Sequence, residues 1–307
     1  MLILAVMVAL MLGAGLLVWF VGLRWPTILA PQVSSRRIWS AVRRHPRLAD
    51  AADSSVDPTV TTGVALTAAS AIVVGGIVGV GLLLLMVRTN LGFARFDQSA
   101  ARFAARHAST LSTTVLRDYT QLGGAVVIVP LAVVVAIIAV WHFRSAAVVG
   151  FLFFVVAGQF AVADLIKWIV GRTRPNIDRL TGFAGPSFPS GHATTAAAVF
   201  AAFALLAGMG RSSRAKAALA AAAVALAVGI ASTRVFLGVH WLTDVLAGLA
   251  LGWAWFALSS IAFGGRLMRF GAPVKQAQEA AQVSDGGASK SNGTGKKRPR
   301  VNVPVDG

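Results

Sequence analysis

Three cationic side chains are unusual in a chain that is otherwise strongly apolar: Lys167, Arg174 and Arg234. Each lies beside a long apolar stretch, where charge is costly and indicates function. Together they would bind a multiply charged anion, because the guanidinium fork of arginine matches phosphate oxygens. Lys167 and Arg174 are nearly two helical turns apart and share a face if their helix continues that far. Asp164 lies three positions before Lys167 and is expected to form a structural ion pair with it. The alternative is that Asp164 tunes Lys167 for a functional role.

Two histidines supply the remaining groups for phosphoryl transfer. His240 lies four positions before Asp244, so the two side chains are adjacent on one helical face. The carboxylate can hold the Nδ1–H of the imidazole and leave Nε2 as a nucleophile. His192 follows Ser190 and Gly191 at the start of an apolar stretch, where the N–H groups of a helix start bind phosphate. We assign to His192 the protonation of the leaving oxygen.

The composition predicts that a membrane protein carries these groups. Hydrophobic residues make up 56% of the 307 positions and charged residues 13%, against roughly 25% charged residues in a soluble domain. The absence of cysteine from the sequence excludes disulfides, thiolate metal sites and thiol catalysis. A net charge of +17 would indicate nucleic acid in a soluble protein. In a membrane protein it indicates basic cytoplasmic loops, so we expect no nucleic acid partner.

Seven apolar stretches are long enough to cross a bilayer, and they predict an all-α polytopic fold. They run Leu2–Leu23, Gly63–Val87, Leu122–Trp141, Ala147–Ile166, Ala193–Gly210, Ala217–Phe236 and Val245–Phe263. Two GxxxG pairs lie inside them, Gly75 with Gly79 and Gly248 with Gly252. Such pairs favour close packing within the bundle, and a homodimer face is the alternative.

The segments between the spans predict the organisation of the chain. Residues 1–23 form an extra N-terminal transmembrane helix, 24–62 a basic cytoplasmic loop, 63–263 a six-span catalytic bundle, and 264–307 a disordered basic cytoplasmic tail. Within the bundle, residues 88–118 are typical of a helix in the outer membrane interface, where it could gate lipid entry. A connector that covers the bundle is the favoured interpretation.

Charge bias predicts the orientation of the spans. Arginines follow the first span and no charged side chain precedes it, which favours an outer N-terminus. Successive spans cross the membrane in opposite directions. This brings three groups of residues, Lys167 with Arg174, Ser190 to His192, and Arg234 with His240 and Asp244, to the same extracytoplasmic end of the bundle. We therefore expect a multi-pass protein of the plasma membrane with its site on the outer side.

Three sequence blocks resemble the type 2 phosphatidic acid phosphatase superfamily, which includes lipid phosphate phosphatases, glucose-6-phosphatase and vanadium haloperoxidases. The blocks are Lys167-x6-Arg174-Pro175, Pro189-Ser190-Gly191-His192 and Arg234-x5-His240-x3-Asp244. The resemblance covers about residues 63–263 and implies a six-helix phosphatase bundle. Arg172 also fits the first block, and Thr233 stands where the family usually has serine.

The resemblance implies a role for each matching residue. Phosphate would be bound by Lys167, Arg174, Ser190, Gly191 and Arg234. His240 would form a phosphohistidine, Asp244 would orient it, and His192 would be the acid. The implied enzyme is a metal-independent phosphatase without a cofactor, with a lipid phosphate or polyprenyl diphosphate as substrate and membrane lipids as its surroundings.

Three other functions remain as alternatives. A phosphotransferase would use the same fold and the same residues. A transporter of an anionic substrate usually has its site near the midplane of the membrane, whereas these residues lie at the ends of spans. The strong hydrophobicity of the spans weighs against a haloperoxidase.

Overall fold

The computed structural model of the protein describes residues 1–24, 59–177, 180–182 and 185–268. Within these ranges the regular structure is helical and no β-strand occurs. The α-helices, in chain order, are α1 (Leu2–Arg24), α2 (Thr59–Thr89), α3 (Asp97–His107), α4 (Thr110–Gln121), α5 (Ala125–Phe143), α6 (Ala147–Val170), α7 (Gly191–Gly208), α8 (Ser213–Phe236) and α9 (Leu242–Met268). A short 3-10 helix, Gly92–Phe96, precedes α3.

Seven of the described helices are long and apolar enough to cross a membrane, which confirms the predicted all-α polytopic fold. They are α1, α2 and α5 to α9, and their limits lie within a few residues of the predicted stretches. The predicted basic loop and basic tail fall largely outside the described residues.

Helix α6 ends before Arg174, so the condition under which Lys167 and Arg174 would share a helical face is not met. Gly171 at the end of α6 has a left-handed backbone conformation (φ 61°), and its N–H donates to the carbonyl of Lys167 at 2.9 Å. Glycine adopts this conformation without the strain that a Cβ would add. Lys167 therefore lies in the last turn of α6, whereas Arg174 lies in the loop that follows.

Helix α8 packs against both α1 and α7. A Cβ on Gly15 of α1 would lie 3.3 Å from the carbonyl oxygen of Ala221 and 3.3 Å from the Cβ of Ala225, so α1 and α8 touch through small residues. Further along α8, Ile230 and Ala231 pack with Ala193 of α7 in the core. The N-terminal span is thus an integral part of the packed bundle.

Helix α9 approaches α7 so closely that glycine is needed at two positions. A Cβ on Gly248 would lie 2.6 Å from the carbonyl oxygen of Ser190, and one on Gly252 would overlap the carbonyl oxygen of Thr194. This GxxxG pair packs inside the bundle, as predicted, and it holds the start of α7 against α9.

The GxxxG pair of α2 behaves differently. A Cβ on Gly75 or Gly79 would meet no atom within 4 Å in the described part of the chain, so the expected packing inside the bundle is wrong for this pair. Helix α2 instead approaches α9 through Gly76, where a Cβ would lie 2.6 Å from the Cβ of Ala254.

The segment Gly92–Gln121, which we call the arm, contains the 3-10 helix, α3 and α4. It buries Ala104 and Leu116 against Ile3 of α1 and against Leu237, in the turn after α8. The arm therefore covers one end of the bundle, as the connector interpretation predicted. Its position in the membrane interface stays a prediction.

Candidate active site

The three sequence blocks meet at one end of the bundle. The first block spans the end of α6 and the loop after it, the second begins α7, and the third runs from the end of α8 to the start of α9. The backbone N–H of Ser190 donates to the carbonyl oxygen of Asp244 at 2.9 Å, which joins the second block directly to the third. All the predicted site residues belong to these connected segments.

Arg174 links the loop after α6 to the turn that carries His240. Its guanidinium donates to the carbonyl oxygens of Gly185 at 2.9 Å, Pro186 at 3.1 Å and Val239 at 2.8 Å. The same Nη1 lies 3.0 Å from Nε2 of His240. These contacts fix a positive charge beside the imidazole.

The side chain of Lys167 reaches from the last turn of α6 to the start of α7. Its Nζ is bonded to Oδ1 of Asp164 at 2.7 Å, which confirms the predicted pairing. A Cβ placed on Gly191 would lie 3.4 Å from the same Nζ. The ammonium group is therefore next to the first turn of α7.

Arg234 supplies the third cation from the end of α8. Its side chain is buried, with 1% of the residue exposed, and its Nη1 donates to Oγ1 of Thr120 at 3.0 Å. The arm therefore positions this guanidinium as well as covering the bundle. Thr233 is also buried, and its hydroxyl donates to the carbonyl oxygen of Ile230 within α8.

The start of α7 offers hydrogen-bond donors to an anion. Ser190 is the N-cap residue, and its side chain makes no capping bond. Its hydroxyl is buried and has no hydrogen-bond partner among the described residues. The first backbone N–H groups of a helix also have no partner within the helix and carry the positive end of its dipole. This combination suits a phosphate oxygen.

His192 lies among the cations, in the first turn of α7. Its charged neighbours are Arg234, Lys167 and Arg174. On its other side is the turn between α4 and α5, where a Cβ on Gly124 would lie 3.5 Å from Nε2 of His192. The predicted acid and the predicted phosphate ligands thus converge in one place.

His240 is held in one tautomer by its two neighbours. A guanidinium group has donors and no acceptor, so Nε2 of His240 must accept from Arg174 and carry a lone pair. The proton then resides on Nδ1, which lies 3.5 Å from Oδ2 of Asp244. Burial lowers the pKa of His240 to about 4, with Asp244 opposing this shift and Arg174 and Arg234 adding to it. The imidazole is neutral at physiological pH.

Asp244 is fully buried and has further partners. Its Oδ2 accepts the backbone N–H of Trp241 at 2.9 Å, and its Oδ1 accepts Nη1 of Arg172 at 2.5 Å. Arg172 therefore binds the carboxylate behind the candidate nucleophile, and this gives a structural role to a residue that the sequence blocks left undefined.

Asp97 is the site residue that sequence reasoning missed. It begins α3 in the arm, is 3% exposed and pairs with Nη2 of Arg172 at 2.7 Å. The sequence signal was only an acidic residue at the start of an amphipathic helix, and no spacing rule connects it to Arg172 or Asp244.

Within the described residues no three His, Asp or Glu side chains are grouped so as to hold a metal ion. Lys167, Arg174 and Arg234 are the cationic side chains predicted to bind the phosphate.

Comparison with known proteins extends the likeness beyond the three blocks. The sequence profile of the PAP2 superfamily matches residues 147–267, a region that contains every predicted site residue. Over 119 residues the chain is 42% identical to the lipid A 1-phosphatase of Rhizobium johnstonii, covering 36% of this chain and 45% of that protein. The chain thus spans about half the length of this relative.

A second relative is matched over most of its length. The chain is 30% identical over 177 residues to phosphatidylglycerophosphatase B of Bacillus subtilis, which covers 57% of this chain and 86% of that protein. The fold is similar to the crystal structure of a PAP2 type phosphatidylglycerolphosphate phosphatase from Bacillus subtilis, with a TM-score of 0.59 and 26% identity. That similarity covers 64% of this chain and 97% of the other.

Proposed function

The chain belongs to the PAP2 superfamily, and from this premise we propose that it is an integral membrane phosphatase acting on a lipid phosphate or a polyprenyl diphosphate. The names of both matched relatives describe phosphatases of lipids. The candidate site lies at the ends of helices that are long and apolar enough to cross a membrane. A substrate with an apolar tail and a phosphate at the membrane surface fits this placement.

The hydrogen bond between Arg174 and His240 is the observation that carries this proposal. It leaves the lone pair on Nε2, on the side of the imidazole that faces the cations, and directs the Nδ1–H toward Asp244. A neutral, oriented imidazole beside a phosphate-binding cluster is an activated nucleophile. The same contact covers Nε2, so Arg174 must move this hydrogen bond to a phosphate oxygen before attack.

In the first step, Nε2 of His240 forms a bond to phosphorus while the bond from phosphorus to the lipid oxygen breaks. His192 gives its proton to that leaving oxygen. The bound phosphate brings negative charge next to His192 and so favours the protonated imidazole that this step requires. Lys167, Arg174 and Arg234 stabilise the charge on the three other phosphate oxygens.

In the second step, water attacks the phosphohistidine. The neutral His192 accepts a proton from the water, the Nε2–phosphorus bond breaks, and inorganic phosphate leaves. Asp244 stabilises the cationic phosphoimidazole through its Nδ1–H in the interval between the two steps. Both histidines return to their starting states.

We place this chemistry on the extracytoplasmic side of the plasma membrane. The arginines that follow α1 support an outer N-terminus, because basic residues next to a span favour the cytoplasmic side. The first turns of α1 pack with Leu237 and Val239, beside the turn that carries His240, so the N-terminus and the site share one end of the bundle.

Phosphate release by the purified protein in detergent tests the proposal. The panel contains phosphatidate, phosphatidylglycerophosphate, lipid A and a polyprenyl diphosphate, and we expect turnover of at least one. His240→Ala should abolish turnover, whereas His142→Ala, an exposed histidine at the end of α5, should not. Transfer of the phosphoryl group to a second lipid without phosphate release would identify a phosphotransferase. Binding without any turnover would identify an anion-binding or transport protein.

We further propose that catalysis needs no divalent metal, because three cationic side chains already face the phosphate. Activity should therefore persist in a chelator, and vanadate should inhibit as a mimic of five-coordinate phosphorus. Complete loss in the chelator with recovery on addition of Mg²⁺ would overturn this part of the mechanism.

A further inference from the structure

Asp97 connects the arm to the third sequence block. Its Oδ1 accepts the backbone N–H of Thr243 at 2.9 Å, and its Oδ2 accepts the hydroxyl of Thr243 at 2.7 Å. The same Oδ2 accepts Nη2 of Arg172 at 2.7 Å. A carboxylate that is 3% exposed thus holds three donors from two other segments.

Arg172 continues this network to the candidate nucleophile. Its Nη1 donates to Oδ1 of Asp244 at 2.5 Å and to the hydroxyl of Thr243 at 2.8 Å. The two carboxylates of Asp97 and Asp244 therefore share one guanidinium. Oδ2 of Asp244 then lies 3.5 Å from Nδ1 of His240.

From this network we infer that Asp97 is a positioning residue for the reaction, acting through Arg172 and Thr243 on Asp244 and hence on His240. The inference rests on the proposed function. If Asp97 loses its charge, Asp244 is the anionic partner that Arg172 keeps among the described residues, and Arg172 attracts it more strongly. Asp244 then becomes a weaker and less well oriented acceptor for the Nδ1–H. Buried charge networks respond in this way because each member compensates the others.

A purely structural role for Asp97 would give a different result. Its bond to the N–H of Thr243 caps the start of α9 from a distant part of the chain, and loss of a cap lowers stability. If Asp97 only caps α9, its loss should leave fewer folded molecules, and each folded molecule should react at the normal rate. A positioning residue predicts normally folded molecules that react slowly.

Pre-steady-state phosphorylation of the full-length protein in detergent separates the two roles. The burst amplitude counts competent sites, and the rate constant reports how well each site reacts. We expect Asp97→Asn to lower the rate constant by roughly 10–100-fold, as loss of an outer partner behind a metal-bound histidine does, with a nearly unchanged amplitude. Asp118→Asn is the matched control, because this carboxylate is on α4 in the same arm and is exposed.

A double-mutant cycle tests the route of the effect. If Asp97 acts through Asp244, Asp97→Asn should cost little in an Asp244→Asn background, because interacting residues are not additive. If the two rate losses simply multiply in the double variant, the two residues act independently and the inference is wrong. A lower amplitude with an unchanged rate constant would overturn it as well, and would leave Asp97 as a cap.

A second pair of variants covers the case in which Asp97→Asn does not fold. Thr243→Val removes the hydroxyl that bonds both Asp97 and Arg172, and it leaves their direct ion pair and the capped N–H in place. Thr243→Ser keeps all of these contacts. Slower phosphorylation in Thr243→Val than in Thr243→Ser supports the inference, and equal rates contradict the part of the route that runs through Thr243. Failure of the unaltered protein to form a phosphoenzyme with any lipid phosphate would instead overturn the proposed function.

Discussion

The depressed pKa of His240 has a direct consequence for the pH dependence of catalysis. Burial holds this pKa at about 4, whereas an ordinary histidine titrates near 6.5. Protonation removes the lone pair on Nε2, so kcat/KM should fall only as the pH drops through about 4. We expect kcat/KM at pH 5.5 to be no lower than its neutral value. An acid limb centred near 6.5 would show that His240 titrates normally.

Ionisation of the substrate can also produce an acid limb in such a profile. Two substrates whose phosphate groups titrate at different pH values provide the control. An acid limb that occurs at the same pH with both substrates belongs to the free enzyme. An acid limb that shifts with the titration of the substrate belongs to the substrate.

His240 and Asp244 should differ in how much their loss costs. Removing His240 removes the atom that bonds to phosphorus, so His240→Ala should form no phosphoenzyme. Asp244→Asn keeps the nucleophile and loses its orientation and charge stabilisation, which in a comparable triad costs about 10⁴ in rate. Trapping labelled phosphohistidine measures both variants, and a label that survives in His240→Ala assigns the nucleophile elsewhere.

The role of His192 can be tested through the leaving group. A lipid alkoxide needs a proton to depart, whereas p-nitrophenolate does not, and general acid catalysis is worth about 10²–10⁴ in rate. His192→Ala should therefore slow phosphoenzyme formation from a lipid phosphate far more than from p-nitrophenyl phosphate. Single-turnover phosphorylation is the appropriate measurement, because His192 also serves the later hydrolysis. An equal loss with both substrates would make His192 another phosphate ligand.

The sequence was sufficient for residues whose chemistry is visible locally. His240 and Asp244 are four apart, and helical spacing predicted their pairing. The two side chains do meet, but not on one helical face, because His240 lies in the turn before α9 and Asp244 in the first turn of α9. Asp97 could not be found in this way, because its partner Thr243 is 146 positions away and only the folded arm brings them together. Long-range contacts of this kind have no local signature.

At the scale of elements, the close approach of α7 and α9 makes a stability prediction. A methyl group on Gly252 would overlap the backbone of Thr194, and overpacking of this kind costs roughly 1–3 kcal/mol. Gly252→Ala should lower the unfolding temperature in detergent, and it should lower activity because α7 begins at the phosphate site. Gly79→Ala is the matched control, since its Cβ would meet no atom within 4 Å in the described residues. Equal stability of the two variants would contradict the close packing.

The limits of the spans were predictable within a few residues because a bilayer fixes helix length. The fourth span was predicted to end at Ile166, and α6 ends at Val170. Gly171 followed by Pro175 marks this end locally, because the pair is typical of a helix that ends at glycine. The two GxxxG pairs could not be distinguished from the sequence. The same spacing packs against α7 in α9, whereas in α2 it meets no atom within 4 Å among the described residues.

At the scale of the whole molecule, orientation in the membrane is the main prediction. The chain contains no cysteine, so single cysteines report topology without background. Asp118→Cys on the arm should react with an impermeant reagent added to intact cells, and Ser213→Cys at the start of α8 should not; both positions are exposed. The reverse labelling pattern would place the site in the cytoplasm.

The packing of α1 on α8 also sets an order of events during synthesis. Gly15 meets Ala221 and Ala225, which emerge from the ribosome more than two hundred residues later. At a translation speed of about 5–20 residues per second, α1 waits in the bilayer for roughly 10–40 seconds before this partner exists. Helix α1 therefore packs on α8 only late in synthesis. Until then its small-residue face is open to lipids, to insertion factors and to neighbouring nascent chains.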